Sequence, residues 1–337
     1  MFLHDNALVC LTLVEALARK GHSSTLVLPM SFRSIGIRSA ASLKVKYADT
    51  YKLISTSLAL AGDPSFDVVV SNNPTSWVLG AVLRTIRLRS HVVILHGSDI
   101  RKAGGPQPRK LISLSALRRS DAVFCTTPDL VHAGRRFGIE VTYLPVPIDT
   151  KRFAQRDGQF SNSERPLIFS PTRLDSTKGA SIILTLIEML IARFPKARVV
   201  QIAYFEEGDN SYLEWFRKNI ACKTSNVSLI PIVRYPEMPS FIRQSDLVIG
   251  QFKLGVAGAI EFQAMSCGVP VVFFDRWHGY GITDLSPMAA FDLAVSAITQ
   301  PERRSTLIRK GFELVRGHDS DLVAAQFLSR IESFARV

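Results

Sequence analysis

Residues 249–274 read IGQFKLGVAGAIEFQAMSCGVPVVFF, and no other stretch restricts the fold so tightly. An apolar strand pattern runs into a loop spaced by Gly250, Gly255 and Gly258. An amphipathic helix pattern follows and stops at Cys267-Gly268-Val269-Pro270, and a second all-apolar run begins at once. A strand, glycine loop, helix and strand in immediate succession set bare backbone and a helix N-terminus at the carboxyl edge of a parallel sheet. Phosphorylated ligands bind at such edges in α/β proteins.

The rest of the chain repeats the alternation, which is the signature of parallel α/β sheets. In the first half, strands are expected at 24–28, 67–71, 91–95, 122–126 and 141–144. Helices are expected at 7–20, 48–61, 75–87, 108–118 and 128–137. In the second half, strands are expected at 167–171, 198–203, 227–231, 247–250 and 269–274. Helices are expected at 180–194, 211–221, 237–244, 259–266, 287–298, 302–315 and 320–335.

Residues 149–166 (DTKRFAQRDGQFSNSERP) lack apolar periodicity and read as a linker. The expected organisation is therefore an N-terminal domain over 1–158, a second over 159–318 and a closing helical segment over 319–337, with a cleft between the two domains. Residues 1–6 are too short and too polar for a first central strand, so the N-terminal domain is expected to lack one or to manage without it. No glycine precedes Gly21, so the usual close backbone approach to a phosphate at the first turn is absent.

The chain has 337 residues, enough for two cores. Its four cysteines (Cys10, Cys125, Cys222, Cys267) and seven histidines show no metal-ligand spacing, and the cysteines read as thiols of a reducing compartment. Apolar runs are broken by Glu15, Glu188 or Asp292 before they reach membrane-spanning length, which predicts a cytoplasmic protein.

Charge is the compositional anomaly. The net charge is +12, of which residues 1–158 hold +10 (21 basic, 11 acidic) and 159–337 only +2 (20 and 18). A basic first half can be a solvated surface or can meet an anionic membrane, an acidic substrate or nucleic acid. Nucleic acid is not expected, because no aromatic stacking motif or binding module accompanies the charge.

Arg173 and Lys178 fall in a loop between a strand and a helix that starts near Gly179. Two cations and the positive end of a helix dipole suit a diphosphate, both as ligand and as leaving group. The alternative is a pair of solvated loop charges. His96 ends an apolar strand in the first half, where an imidazole can donate or accept a proton or hydrogen bond. Ser98 and Asp99 behind it are acceptor-side candidates or simply turn and helix-cap residues. Gly255 and Gly258 can offer backbone N–H groups to a sugar or phosphate, or form a tight turn.

Several stretches, taken in order, resemble the retaining GT-B glycosyltransferases of group 1, or family 4. They are ALARKGHSSTLVLP, FDVVVSNNP, VVILHGSDI, LRRSDAVFCTTPDL, VTYLPVPIDTKRF, FSPTRLDSTKGASIIL and MPSFIRQSDLVIG through FQAMSCGVPVV. The resemblance implies a GT-B fold: two Rossmann-like, doubly wound α/β domains facing a cleft, with the closing helix packed back on the first. It implies a nucleotide-diphosphate sugar as donor substrate and neither a metal nor another cofactor. Arg173 and Lys178 become the donor-phosphate pair, His96 the residue that approaches the transferred sugar, and Val233 and Arg234 neighbours of the nucleotide base.

The donor helix departs from the family's pattern of two glutamates. Aligned on Ala264-Met265 and Cys267-Gly268, Gln263 stands at the second glutamate and Gly255 at the first. Glu261 is a nearby carboxylate, but two residues along a helix turn it about 200° from Gln263. Gln263 retains hydrogen-bonding capacity without charge.

The resemblance implies transfer with retention in glycan, glycolipid or cell-surface polysaccharide synthesis. The basic first half adds an acidic or lipid-linked acceptor and peripheral attachment to the inner membrane face. Two other classes stay open: a partner subunit whose donor site has decayed, and a nucleotide-sugar epimerase or phosphorylase on the same fold.

Overall fold

The computed structural model describes residues 2–3, 9–29, 43–48, 66–72, 74–87, 90–96, 108–155, 164–203 and 211–335. The chain divides into two compact units, one of Met1–Asp149 with His318–Val337, the other of Thr150–Gly317. The break thus falls ahead of Gly158, because residues 150–155 already belong to the second unit: Ser266 Oγ donates to the Phe153 carbonyl at 2.8 Å, and Phe153 is fully buried.

The first unit is built on a seven-stranded, all-parallel sheet. Its strands are β1 (Phe2–Leu3), β2 (Ser24–Pro29), β3 (Leu43–Ala48), β4 (Val68–Ser71), β5 (Ser90–Leu95), β6 (Ala122–Cys125) and β7 (Thr142–Tyr143), in the order β3-β2-β1-β4-β5-β6-β7. The helices described are α1 (Val9–Arg19), α2 (Pro74–Arg87), α3 (Pro108–Arg118) and α4 (Asp129–Arg135). The first central strand, not expected from so short and polar a start, is present as the two-residue β1, paired on both sides, with Phe2 opposite Leu26 and Val70. Two residues suffice because the neighbours β2 and β4 set the register.

Strand β3 is an addition to the expected elements. Its LKVKYA pattern alternates apolar with charged residues, as suits a sheet edge, and Lys44 and Lys46 are exposed. The helix expected at 48–61 lies, apart from Ala48 at the end of β3, outside the described residues. Val92, Val93, Ile94 and Leu95 of β5 are fully buried, which is why this strand reads as a continuous apolar run.

The second unit holds a five-stranded parallel sheet of β8 (Leu167–Ser170), β9 (Arg198–Ile202), β10 (Val227–Ile230), β11 (Leu247–Ile249) and β12 (Val271–Val272), ordered β10-β9-β8-β11-β12. Its helices are α5 (Ala180–Arg193), α6 (Ser211–Phe216), α7 (Met238–Gln244), α8 (Ala259–Ser266), α9 (Pro287–Thr299) and α10 (Pro301–Arg316). Strands β8 and β11 are direct neighbours, so the loops leaving their carboxyl ends lie side by side.

The closing helix α11 (Ser320–Ala335) belongs to the first unit and packs on α1. Phe327 meets Phe124 with ring centroids 5.5 Å apart, Arg19 pairs with Asp321 at 2.7 Å, and His318 and Ser320 close a parallel bridge to Ile148. No described helix is long and apolar enough to cross a membrane.

Candidate donor site

The loop from β8 to α5 is organised by Asp175, a residue not singled out by its sequence. Asp175 is 5% exposed. Its Oδ1 accepts from Thr177 N at 2.8 Å, Thr177 Oγ1 at 2.6 Å and Lys178 N at 3.1 Å, while Oδ2 takes Arg173 Nε–H. Its carbonyl accepts Ala180 N–H at 3.1 Å. One buried carboxylate therefore sets the positions of both Arg173 and Lys178. The signal for it in the sequence is an Asp followed by Ser-Thr ahead of a helix, which is side-chain-to-backbone turn chemistry.

Gly179 then closes the loop at φ +79°, a left-handed conformation that favours glycine. A Cβ there would stand 2.9 Å from the Phe252 carbonyl carbon, so the loop lies directly on the chain leaving β11. Phe252 N–H donates to the Lys178 carbonyl at 2.9 Å.

Gln251, again with no mark in the sequence, ties this loop to the glycine loop. Its Oε1 accepts from Lys178 Nζ at 3.3 Å, and its Nε2 donates to the Val256 carbonyl at 2.9 Å. The Gly255 carbonyl accepts Arg276 N–H at 2.8 Å, with Gly255 at φ +69°. The N-termini of α5 and α8, Lys178, and the backbone of 255–258 thus converge on the carboxyl edge of β8 and β11.

Glu261 does not serve this edge as a ligand group in the way expected of a donor-binding residue. It is 1% exposed; Oε1 accepts Gln251 N–H and Oε2 accepts Gly258 N–H, both at 2.9 Å. A carboxylate so placed is a staple that closes the glycine loop onto the first turn of α8, as the third residue of a capping box does. Gln263 is in the same helix, and its amide makes no hydrogen bond to another described residue. Its orientation differs from that of Glu261 by the two-residue rotation anticipated from the sequence.

Val233 is buried, whereas Arg234 is exposed and paired with Glu237 at 2.6 Å after β10. In the first unit His96 directly follows β5, with Nδ1 3.2 Å from Thr126 Oγ1. Burial of its imidazole pushes the pKa down to about 4, so the ring is neutral at pH 7 and fit for hydrogen bonding. Ser98 and Asp99 lie outside the described residues.

What this edge can do follows from its parts. The cations of Arg173 and Lys178, with the α5 N-terminus, provide charge for a diphosphate; the backbone of 255–258 admits close approach; and Gln263 supplies neutral donor and acceptor groups. No group of three or more His, Cys, Asp or Glu among the described residues is arranged to hold a metal ion.

Residues 7–152 match the family model of Glycosyltransferase Family 4. Among curated proteins no match is found. HepE of Anabaena in complex with UDP-glucose superposes with a TM-score of 0.77 at 16% identity, covering 98% of this chain and 99% of that one. Sucrose-phosphate synthase from Thermosynechococcus elongatus gives 0.76 at 16% identity over 99% and 95%. The N-terminal domain of Candida albicans trehalose-6-phosphate phosphatase gives 0.74 at 13% identity over 100% and 97%. Residues 7–152 are therefore similar to glycosyltransferase family 4, and the whole chain has the GT-B fold.

Proposed function

We propose that the chain transfers a sugar from a nucleotide-diphosphate donor to an acceptor hydroxyl, with retention, in the assembly of a glycan, glycolipid or cell-surface polysaccharide. The observation that carries this is the Asp175-built loop, which presents Arg173 and Lys178 at the N-terminus of α5 against the Gln251 and Gly255–Gly258 backbone. Departure of the diphosphate concentrates negative charge at its bridging oxygen. Cations fixed in advance stabilise that charge without reorganising. Retention then needs no nucleophile from the protein, since the acceptor can attack the same face of the sugar while the leaving phosphate oxygen takes its proton. His96, neutral at pH 7, is proposed to hydrogen-bond the transferred sugar. No metal ion is needed in this scheme because Arg173 and Lys178 carry the neutralising charge.

Arg173→Ala should lower transfer by roughly two to three orders of magnitude, the scale for losing one preorganised charge contact. A panel of UDP-, GDP- and ADP-sugars assayed for hydrolysis and transfer checks this, and near-normal turnover would discard the assigned diphosphate site.

The charge asymmetry supports a further part of the proposal, that the basic first unit meets an acidic or lipid-linked acceptor at a membrane surface. Partitioning to anionic vesicles should fall with added salt; equal partitioning to neutral vesicles would remove this part alone.

One observation favours a second reading. Gly255 and Gln263 stand where the family's glutamates are expected, as in a partner subunit that has lost its donor chemistry. Calorimetry separates the two, because such a subunit gives no heat with any nucleotide sugar.

A further inference from the structure

Gly255 has no side chain, and the space that one would occupy is crowded by Phe274 and Arg276. A Cβ built on Gly255 would lie 3.3 Å from both Cγ and Cδ of Arg276 and 3.1 Å from the Phe274 ring. The Arg276 backbone is tied to Gly255 by the 2.8 Å hydrogen bond from its N–H, and its guanidinium carbon sits 4.9 Å from the centroid of the Phe274 ring. Phe274 is itself buried. Arg276 is thus an exposed cation whose stem and base are both fixed.

The neighbouring carboxylate does not neutralise it. Asp275 is fully buried, and its oxygens accept from the backbone N–H groups of Trp277, His278, Tyr280 and Gly281 and from His278 Nδ1, at 2.7–3.2 Å. Those contacts also hold the chain from 275 to 281 in one arrangement. Among the described residues no carboxylate lies within ion-pair distance of Arg276.

Its place relative to the diphosphate cations is given by a chain of contacts. Lys178 meets Gln251, Gln251 meets Val256, and the adjacent Gly255 meets Arg276. Arg276 is thus linked to Lys178 through the glycine loop and does not contact it directly among the described hydrogen bonds. A nucleotide diphosphate calls for cations at Lys178. A fixed guanidinium beside the bare backbone is suited to a second, planar anionic group on the same ligand, which it can engage through two parallel N–H donors.

We propose that Arg276 is a specificity-determining residue that recognises a carboxylate on the transferred sugar, so that the donor is a nucleotide-linked uronic acid. The proposal rests on the donor-site reading above and names its substrate class. Gln263 and the backbone of 255–258 supply neutral groups for hydroxyls, whereas Arg276 supplies the one feature that separates an acidic sugar from its neutral counterpart. A neutral sugar would leave Arg276 solvated, at little cost, so the discrimination comes from the gain with the acidic one.

Calorimetry with UDP, UDP-glucose and UDP-glucuronate, and with GDP, GDP-mannose and GDP-mannuronate, tests this on the full chain. The protein should bind one uronate donor at least tenfold more tightly than its neutral counterpart. Arg276→Gln should abolish that ratio while leaving affinity for the nucleoside diphosphate and the neutral sugar unchanged, and Arg276→Lys should keep part of it. Binding of a nucleoside diphosphate with no preference for the uronate would overturn this proposal and leave the donor site standing. So would a loss in Arg276→Gln that is equal for all ligands, which assigns Arg276 to the phosphates, or an effect confined to the KM of an acidic acceptor. Failure to bind any nucleotide would remove the donor site itself, and this inference with it.

Discussion

A carboxylate taken out of water is costly unless its oxygens find donors, and Glu261 finds two from the backbone. The consequence is a division between residues two apart on one helix: Glu261 holds the loop, whereas the Gln263 side-chain amide bonds no other described residue and, in the proposed function, is available to the donor. Glu261→Gln keeps the shape but presents an NH₂ group to one of the two backbone N–H groups. We expect a loss of about 1–3 kcal/mol of stability, the cost of an unsatisfied buried donor, with a lower Tm by calorimetry. Gln263→Ala should leave Tm nearly unchanged and weaken nucleotide-sugar binding; equal stability losses in both variants would refute the division. The positions of these residues are legible in the sequence, but the role of Glu261 is not. Gly258 is its local N-cap partner, but Gln251 becomes a neighbour only when the chain leaving β11 is folded against α8. Gln251 is silent in the sequence for the same reason, since the Lys178–Gln251 contact joins residues 73 apart, whereas the contacts of Asp175 are local and follow from its turn pattern.

At the scale of elements, strands buried on both faces announce themselves as apolar runs, and both the β8–α5 and β11–α8 loops can be placed at a sheet edge from sequence. Strand β3 is hidden because alternating lysines disguise an edge strand, and β1 because two residues carry no periodicity. What sequence does not supply is how closely the two loops approach. That closeness depends on Gly179, where both the left-handed backbone and the absent Cβ are needed. Gly21 offers the contrast, with φ +87° and nothing within 4 Å of the place a Cβ would take. Gly21→Ala should cost about 1 kcal/mol, the backbone term alone. Gly179→Ala should cost more, because its methyl meets the Phe252 backbone, and should weaken diphosphate binding at least about tenfold by lifting Lys178 away from Gln251. Chemical denaturation and nucleotide titration of the two variants check this. Equal costs with intact binding in both would show that the approach of the loops is not essential.

At the scale of the whole molecule, the two units differ in how their buried ionisable groups respond to acid. In the first unit His91 is fully buried, with Nε2 2.6 Å from Ser71 Oγ, Nδ1 3.4 Å from Ser120 Oγ, and Gly80 leaving room for the ring. Burial, aided by the Arg84 charge, pushes its pKa down to about 4; burial does the same for His96. Unfolded, each imidazole takes a proton near pH 6.5. Between pH 6.5 and 4 the unfolded chain therefore binds more protons than the folded one, and stability is lost as pH falls through that window. Each histidine contributes on the order of 3 kcal/mol by this linkage. In the second unit the corresponding group is Asp275. Burial alone would raise its pKa, but the hydrogen bonds from His278, Tyr280 and Trp277 outweigh it and hold the carboxyl well below the usual range. Its contribution is present above the unfolded carboxylate pKa and is lost only as pH falls below about 4. Hydrogen exchange at stepped pH should accordingly show protection lost first in β4, β5, β6 and α11, while β8, β11 and α8 stay protected to lower pH. His91→Gln, which keeps hydrogen-bonding capacity but cannot titrate, should shift the first transition to lower pH. If both units instead lost protection together below pH 4, with the His91→Gln midpoint unmoved, the neutral histidines would not be the acid-sensitive element of the fold.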